Sequence, residues 1–329
     1  MHAWLCDNPI GHHALRWAET PTPTPSDHEV LVEVAAASLN FPDVLIVQNK
    51  YQHKPALPFV PGAEFAGTVR AVGAAVRHLR PSQRVACLPG TGGFATHALA
   101  PAAACLPLPD DFDLADAAAF TMTYATGWHA LIDRGQLQSG ETVLVLGGAG
   151  GVGTAAIQIA KAQGARVIAV AGGADKCALC ANTGADATID HQTHHDAQSL
   201  RQEIKRLTEG RGPDVVYDPV GGEWAEPVLR SIAWRGRYLV IGFASGPIPA
   251  LPWNLLLLKG ASLVGVFWGD FAQREPQANQ QMMKALLTWY QQGKIKPVLD
   301  QCLPMSALGQ AYERMQARQV KGKLVLTNP

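Results

Sequence analysis

The sequence predicts an α/β protein of two domains, an all-β part followed by a doubly wound parallel sheet. Three observations predict it. From Thr142 onward, short apolar runs alternate with longer amphipathic ones, the rhythm of a sheet whose parallel strands are joined by helices. Within that stretch, TVLVLGGAGGVGTAAIQIAKAQGA passes from an apolar run through a glycine-rich turn into an apolar-periodic helix. Before it, residues 29–99 break into short apolar runs bounded by Gly and Pro. The length of 329 residues exceeds the ~100–200 of an ordinary domain. With 47% hydrophobic and 16% charged residues there is enough apolar material for two packed cores.

In chain order, TPTPTPSD at 20–27 cannot be helical, because proline fixes φ and lacks an N–H. EVLVEVAAAS then alternates as a strand does, and Phe65–Val72, Arg84–Leu88 and Phe94–Leu99 follow as strands of a small barrel or curled sheet. The alanine-rich DLADAAAFTMTYATGWHALIDRG from Asp113 reads as helix. Strands are expected at Thr142–Leu146, Arg166–Ala171, Ala187–Ile189, Val215–Asp218, Arg237–Ile241 and Ser262–Val266. Past Gly269 come helices at Gln277–Gln292 and Ala307–Ala317 and a closing strand Lys323–Leu326, which are expected to return to the first domain. The boundaries implied are 1–118, 119–268 and 269–329.

Gly148, Gly150 and Gly153 have GxGxxG spacing at a strand-to-helix turn, where backbone can approach a pyrophosphate and helix N-terminal amides at Gly151, Val152 and Gly153 offer donors. Dinucleotide binding is the expectation. An Asp or Glu about 20 residues after the motif binds a ribose 2′-hydroxyl where NAD is preferred. Here Arg166–Ala171 ends in Gly172 and Gly173, with Lys176 close by as a counter-charge, which leaves room for a 2′-phosphate and favours NADPH.

The whole chain resembles the medium-chain dehydrogenase/reductase superfamily and, within it, the zinc-independent quinone oxidoreductases. The resemblance rests on SLNFPDVL at 38–45, KYQHKPALPFVPGAEFAGTV at 50–69, the GGAGGVG turn, DVVYDPVGG at 214–222 and IGFASGPIPALPWNLLLLKG at 241–260. It implies a GroES-like β-barrel catalytic domain and a six-stranded parallel Rossmann domain. Zinc alcohol dehydrogenases of the superfamily have a Cys where this chain has Asn40 and a His where it has Ala63, and the third ligand has no counterpart in AAFTMTYATGWHA. Ala cannot coordinate zinc and an Asn amide is a poor ligand, so no metal is expected. Cys87 and Cys105 stand alone where a structural-zinc lobe would have four cysteines.

The same resemblance assigns Thr126 and Asn40 to positions lining the cofactor, and Gly242, Phe243 and Ala244 to the nicotinamide half. Arg318 matches an arginine that helps hold the 2′-phosphate, and His191 stands where the family has a tyrosine flanking it, a substitution that keeps a ring and a donor. Phe267 and Trp268 follow the sixth strand and either cover the nicotinamide or serve packing or a dimer seam. Without a Lewis acid the substrate must already be electrophilic, a quinone or α,β-unsaturated carbonyl placed over C4 of NADPH in a desolvated cleft between the domains. Asn40 and Tyr51 are the expected contacts to its carbonyl oxygen, Tyr51 being alternatively a half-buried barrel residue. A homodimer is implied, with Ala261–Val266 extending a sheet across a two-fold axis.

Three rival functions are weighed: reduction of enoyl thioesters of the acrylyl-CoA kind, a non-catalytic role as an NADPH-binding, crystallin-like, RNA-binding or sensor protein, and a zinc alcohol dehydrogenase, which metal analysis would settle. Equal numbers of basic and acidic residues, 27 each, argue against a nucleic-acid partner. MHAWLCDNPIG lacks a basic start and apolar run, the six cysteines are scattered, and no apolar stretch approaches the ~20 residues of a membrane span. A cytoplasmic protein is the expectation. The CxxC of Cys177 and Cys180 falls in a predicted helix and is read as packed or exposed thiols, and the cluster His191, His194 and His195 as a solvated loop.

Overall fold

A computed structural model describes residues 1–193 and 196–329; His194 and His195 lie outside them. The chain forms two units, Met1–Met122 with Leu299–Pro329, and Thr123–Val298.

In the first unit Glu29–Ser38 is the strand its alternation predicts, with Val30, Val32 and Val34 facing the core. Burying each of these side chains contributes about 1.5–3 kcal/mol. Two register shifts against Glu64–Val72 bend the pair. The seven-stranded sheet runs Leu299–Pro304, Lys323–Thr327, Glu29–Ser38, Glu64–Val72, Arg84–Cys87, Cys105–Pro107, and His97–Pro101 also pairs with Glu29–Ser38. Phe65, Val69, Val85, Leu324 and Leu326 complete the core. The expected strand Phe94–Leu99 is displaced to His97–Pro101, because Phe94 and Ala95 bond the N-terminal strand instead: Trp4 N donates to Phe94 O at 3.0 Å and Ala95 bridges Ala3. Leu299–Pro304, a strand the sequence reading lacked, pairs parallel with the closing strand Lys323–Thr327.

In the second unit six parallel strands take the order Ala187–Asp190, Arg166–Ala171, Thr142–Leu146, Val215–Asp218, Arg237–Val240, Ser262–Gly265. All six fall where the apolar runs predicted them. Leu144, Leu146, Ile168, Val170, Val216 and Tyr238 pack on one face of this sheet against Leu200, Ile204, Val228 and Leu229 of the helices. The alanine-rich segment is three pieces rather than one helix. Leu114–Ala118 is capped by the Asp113 carboxylate, which accepts from the amides of Ala115 and Asp116; Thr121–Trp128 follows; and His129–Arg134 is a π-turn closed by Gly135 N on Ala130 O.

Residues 269–298 belong to this second unit and do not return to the first, a correction to the expected boundary at 269. Aromatic packing holds them: Trp289 meets Trp128 at 4.7 Å between ring centroids, and Phe271 stacks on His129 at 4.3 Å. A helix at Trp268–Arg274 precedes the expected one, which spans Pro276–Gln291. No helix among the described residues is long and apolar enough to cross a membrane.

Candidate functional site

The carboxyl ends of the six parallel strands lie along one edge of the second unit's sheet, and the glycine-rich turn is at its centre. Strand Thr142–Leu146 is fully buried and runs into helix Gly151–Ala162, whose N-cap is Gly150. Two of the three motif glycines are required by packing. A Cβ at Gly153 would lie 2.2 Å from Gly147 O, and one at Gly148 2.9 Å from Ala169 Cβ and 3.0 Å from Cys180 Sγ. Gly150 differs, because a Cβ there would meet only Gly147 O, at 3.5 Å. The space over Gly150, ahead of a helix start that has no side-chain cap, is therefore open to a ligand, and amide dipoles there favour an anion. A dinucleotide pyrophosphate fits these residues.

Strand Arg166–Ala171 ends in Gly172 and Gly173, the latter at φ +90°, where side chains are strained. The His191 ring lies directly over Gly172, with Nε2 2.8 Å from the position a Cβ would take. Lys176 is in the first turn of the following helix, Ala174–Thr183. The His191 ring and Gly172 are thus brought together, with Gly173 next in the chain and Lys176 one turn on. An unforeseen acid joins them: Asp190, ending the neighbouring strand, accepts from Gly173 N at 2.8 Å and Gln192 N at 2.9 Å.

Gly242–Ala244 leave strand Arg237–Val240 and fold over the Asp218 turn, Gly242 N donating to Asp218 O and Ala244 N to Pro219 O. Asp218 fixes that turn, its Oδ1 accepting from Val220 N and Gly221 N and its Oδ2 from the Tyr238 hydroxyl at 2.6 Å. Trp268 is buried with Nε1 on Asn279 Oδ1 at 3.0 Å, so of the aromatic pair Phe267 is the exposed member. Thr126 lies half-buried on helix Thr121–Trp128. Arg318 belongs to the first unit, in the left-handed position (φ +56°) after helix Leu308–Gln316.

In the first unit a buried polar cluster is built around Asn40, the N-cap of helix Phe41–Ile46. Asp43, three residues on, reaches back with Oδ2 to Asn40 N at 2.8 Å and accepts from Ala63 N with Oδ1 at 2.9 Å. The Asn40 amide has both ends engaged: Oδ1 accepts from Lys323 Nζ at 2.5 Å, and Nδ2 donates to Glu64 Oε2 at 3.1 Å. Glu64 also accepts from Ser38 Oγ at 2.9 Å and Met122 N at 2.8 Å. The Lys323 ammonium, on a residue only 6% exposed, stands 3.6 Å from Glu64. Burial pushes Asp43 up from 3.8 to about 7, against the pull of two backbone amides and Lys323. Burial draws Lys323 down while Glu64 and Asp43 oppose it. Tyr51 packs half-buried against Cys6, Ile46 and Phe59, and burial, with Asp43 nearby, raises its phenol, which stays a donor at neutral pH.

Comparison with known proteins places this architecture. Residues 26–110 match the family described as alcohol dehydrogenase GroES-like domain, and residues 151–288 the one described as zinc-binding dehydrogenase. Quinone oxidoreductase-like protein 2 of Bos taurus is 36% identical over 311 residues, covering 94% of this chain and 88% of that protein. The chain belongs to the quinone oxidoreductase-like family of medium-chain dehydrogenases/reductases. Quinone oxidoreductase of Mus musculus is 31% identical over 94% of this chain and 92% of its own length. The solved structure of mycobacterial Rv1454c complexed with NADPH superposes with a TM-score of 0.92, at 31% identity and with 100% of both chains covered.

As a quinone oxidoreductase-like protein the chain is an oxidoreductase with the GroES-like and Rossmann domains its motifs implied. Zinc, named in one family description, does not fit the residues present. Ala63 has no donor atom, and the Asn40 and Glu64 groups that remain are already bonded to an internal cation, Lys323, which would repel a second. The sequence reading found Asn40 but missed Asp43, Glu64 and Lys323. The Asn-x-x-Asp spacing of 40 and 43 is a capping signal that could have revealed Asp43. Lys323 is 283 residues from Asn40, and no local pattern connects them.

Proposed function

We propose that this chain uses NADPH to reduce quinones or other electrophilic alkenes conjugated to a carbonyl, without a catalytic metal. The observation that carries the reading is the Asn40–Glu64–Lys323 cluster, which contains its own cation in the region where zinc relatives bind a metal. An acceptor that needs no Lewis acid follows from it, because hydride addition to a quinone or enone is already stabilised by delocalisation.

When bound, NADPH would supply the hydride. The chain's residues bind and orient. Gly150 and the amides of Gly151, Val152 and Gly153 would hold the pyrophosphate; Gly172, Gly173, His191 and Lys176 would hold the 2′-phosphate; Thr126, Gly242, Phe243, Ala244 and Phe267 would line the nicotinamide half. Tyr51 donates a hydrogen bond to the acceptor's carbonyl oxygen, where negative charge develops. Asn40, its amide fixed between Lys323 and Glu64, adds a polar group near that oxygen. Assembly is a homodimer through the edge strand Ser262–Gly265, ahead of which in the chain Trp253 is 82% and Leu257 81% exposed.

The test is NADPH consumption against a panel of quinones, enones, enoyl-CoA thioesters and simple ketones, with and without a chelator. Turnover of quinones and enones, none of ketones and no effect of chelation are expected. Preference for thioesters would assign the chain to enoyl reduction, and tight NADPH binding without turnover of any acceptor would assign it a binding role.

A further inference from the structure

Cys87 and Cys105, which the sequence left without partners, face each other in the barrel. Strands Arg84–Cys87 and Cys105–Pro107 are antiparallel, with Cys87 opposite Cys105. The ladder bonds run from Leu88 N to Ala104 O and from Leu108 N to Arg84 O, which makes Cys87 and Cys105 a non-hydrogen-bonded pair. At such pairs the Cα atoms approach to ~4.5 Å and the side chains lean together, within the ~4.4–6.8 Å a disulfide spans. Their sulfurs are 3.3 Å apart, the Cys87 thiol donating to Cys105 Sγ, while the Cys105 thiol faces Pro101 O at 3.5 Å. Closing that gap to the ~2.05 Å of a bond needs rotation of two side chains and no change of register.

We propose that Cys87 and Cys105 form an oxidisable dithiol, a modification site at which a low-molecular-weight disulfide reversibly produces an intrachain cross-strand disulfide. In the first step the Cys105 thiolate attacks one sulfur of the small disulfide, forming a mixed disulfide and expelling one thiolate. The Cys87 thiolate then attacks Cys105 Sγ, forming the intrachain bond and expelling the second. The two cysteines lose two protons and two electrons, and the reagent becomes two thiols.

The fold gives Cys105 the first role. It opens a three-residue strand at the end of the sheet order, bonded on one side only, and such short edges open at lower free energy than interior strands. Cys87 is fully buried on the strand behind it, paired on its other side with Phe65. Burial holds the Cys87 thiol well above its ordinary range, so exchange is slow while the edge strand is closed. The bond would staple the base of the segment 88–104, which carries strand His97–Pro101 and whose Gly90, Gly92, Gly93 and Phe94 amides donate to the carbonyls of Ala63, Val60, Gly62 and Pro61. Oxidation thereby tightens the brace on the segment that leads into Glu64.

The experiment incubates the full-length protein with oxidised glutathione under native conditions, quenches with acid, alkylates in denaturant, digests without reductant and maps the peptides by mass spectrometry. Expected is a peptide pair joining Cys87 to Cys105, two hydrogens lighter than the sum of the reduced peptides and lost on treatment with dithiothreitol. Cys87→Ala should instead trap glutathione on Cys105, and Cys302→Ser should leave the joined pair unchanged. Recovery of Cys87 and Cys105 as alkylated thiols while exposed Cys302 carries glutathione would overturn the proposal, as would cross-links confined to Cys177 and Cys180.

Discussion

Gly150 and Gly153 belong to one motif, yet the structure assigns them different reasons for being glycine, and paired substitutions separate the two. At Gly153 an added methyl would stand 2.2 Å from Gly147 O, where ordinary contact begins at 3.4 Å, an overlap of 1.2 Å. The groups it meets are backbone atoms at the end of a buried strand and cannot swing aside. Gly153→Ala should therefore cost what overpacking costs, about 1–3 kcal/mol or more. Gly150 has φ −83° and ψ 170°, open to any residue, and its methyl would touch only Gly147 O at 3.5 Å. Gly150→Ala should fold with stability within about 0.5 kcal/mol of the parent. That methyl nevertheless projects into the space assigned to the pyrophosphate. NADPH affinity should fall at least tenfold, about 1.4 kcal/mol. Urea unfolding measures the first quantity and fluorescence titration with NADPH the second. A Gly150→Ala protein that binds NADPH like the parent refutes the assignment of that space, and one that loses as much stability as Gly153→Ala refutes the steric reasoning.

Further expectations concern the polar cluster and the 2′-phosphate. Lys323→Met leaves Glu64 buried without its cation and should cost about 3–5 kcal/mol in urea unfolding, partly restored by adding Glu64→Gln; a loss under 1 kcal/mol would show the pair to be idle. Because Asp43 rises from 3.8 unfolded to about 7 folded, the folded state holds its proton more tightly. Its contribution is complete below about pH 4 and is lost as pH rises to about 7, so the stability difference between the parent and Asp43→Asn should shrink across that window and then stay level. Tyr51→Phe should lower kcat for a quinone about tenfold, the worth of one hydrogen bond of ~1.4 kcal/mol, with an unchanged circular dichroism spectrum; an unaltered kcat removes Tyr51 from the chemistry. Lys176→Ala should weaken NADPH about fivefold and leave NADH binding as it was, and equal losses for both nucleotides would contradict a phosphate contact.

The sequence alone determined the six strands of the parallel sheet and the nucleotide turn, because both are written in short-range pattern. Strands such as Thr142–Leu146 and Val215–Asp218 are continuous apolar runs since both faces of a parallel sheet are covered. The glycine spacing likewise reports a local steric need of the turn. What the sequence could not decide were contacts between positions far apart in the chain. The strand Leu299–Pro304 alternates weakly and is defined by its parallel partner Lys323–Thr327, not by its own residues. Trp128 and Trp289 place helix Pro276–Gln291 in the second unit, against a boundary drawn from chain order. Lys323 looks like an ordinary charge in KGKLVL until folding buries its ammonium against Asn40 and Glu64, and Cys87 and Cys105 become a pair only through strand register. Desolvation and register act through space, and only the tertiary structure brings together the groups on which they act.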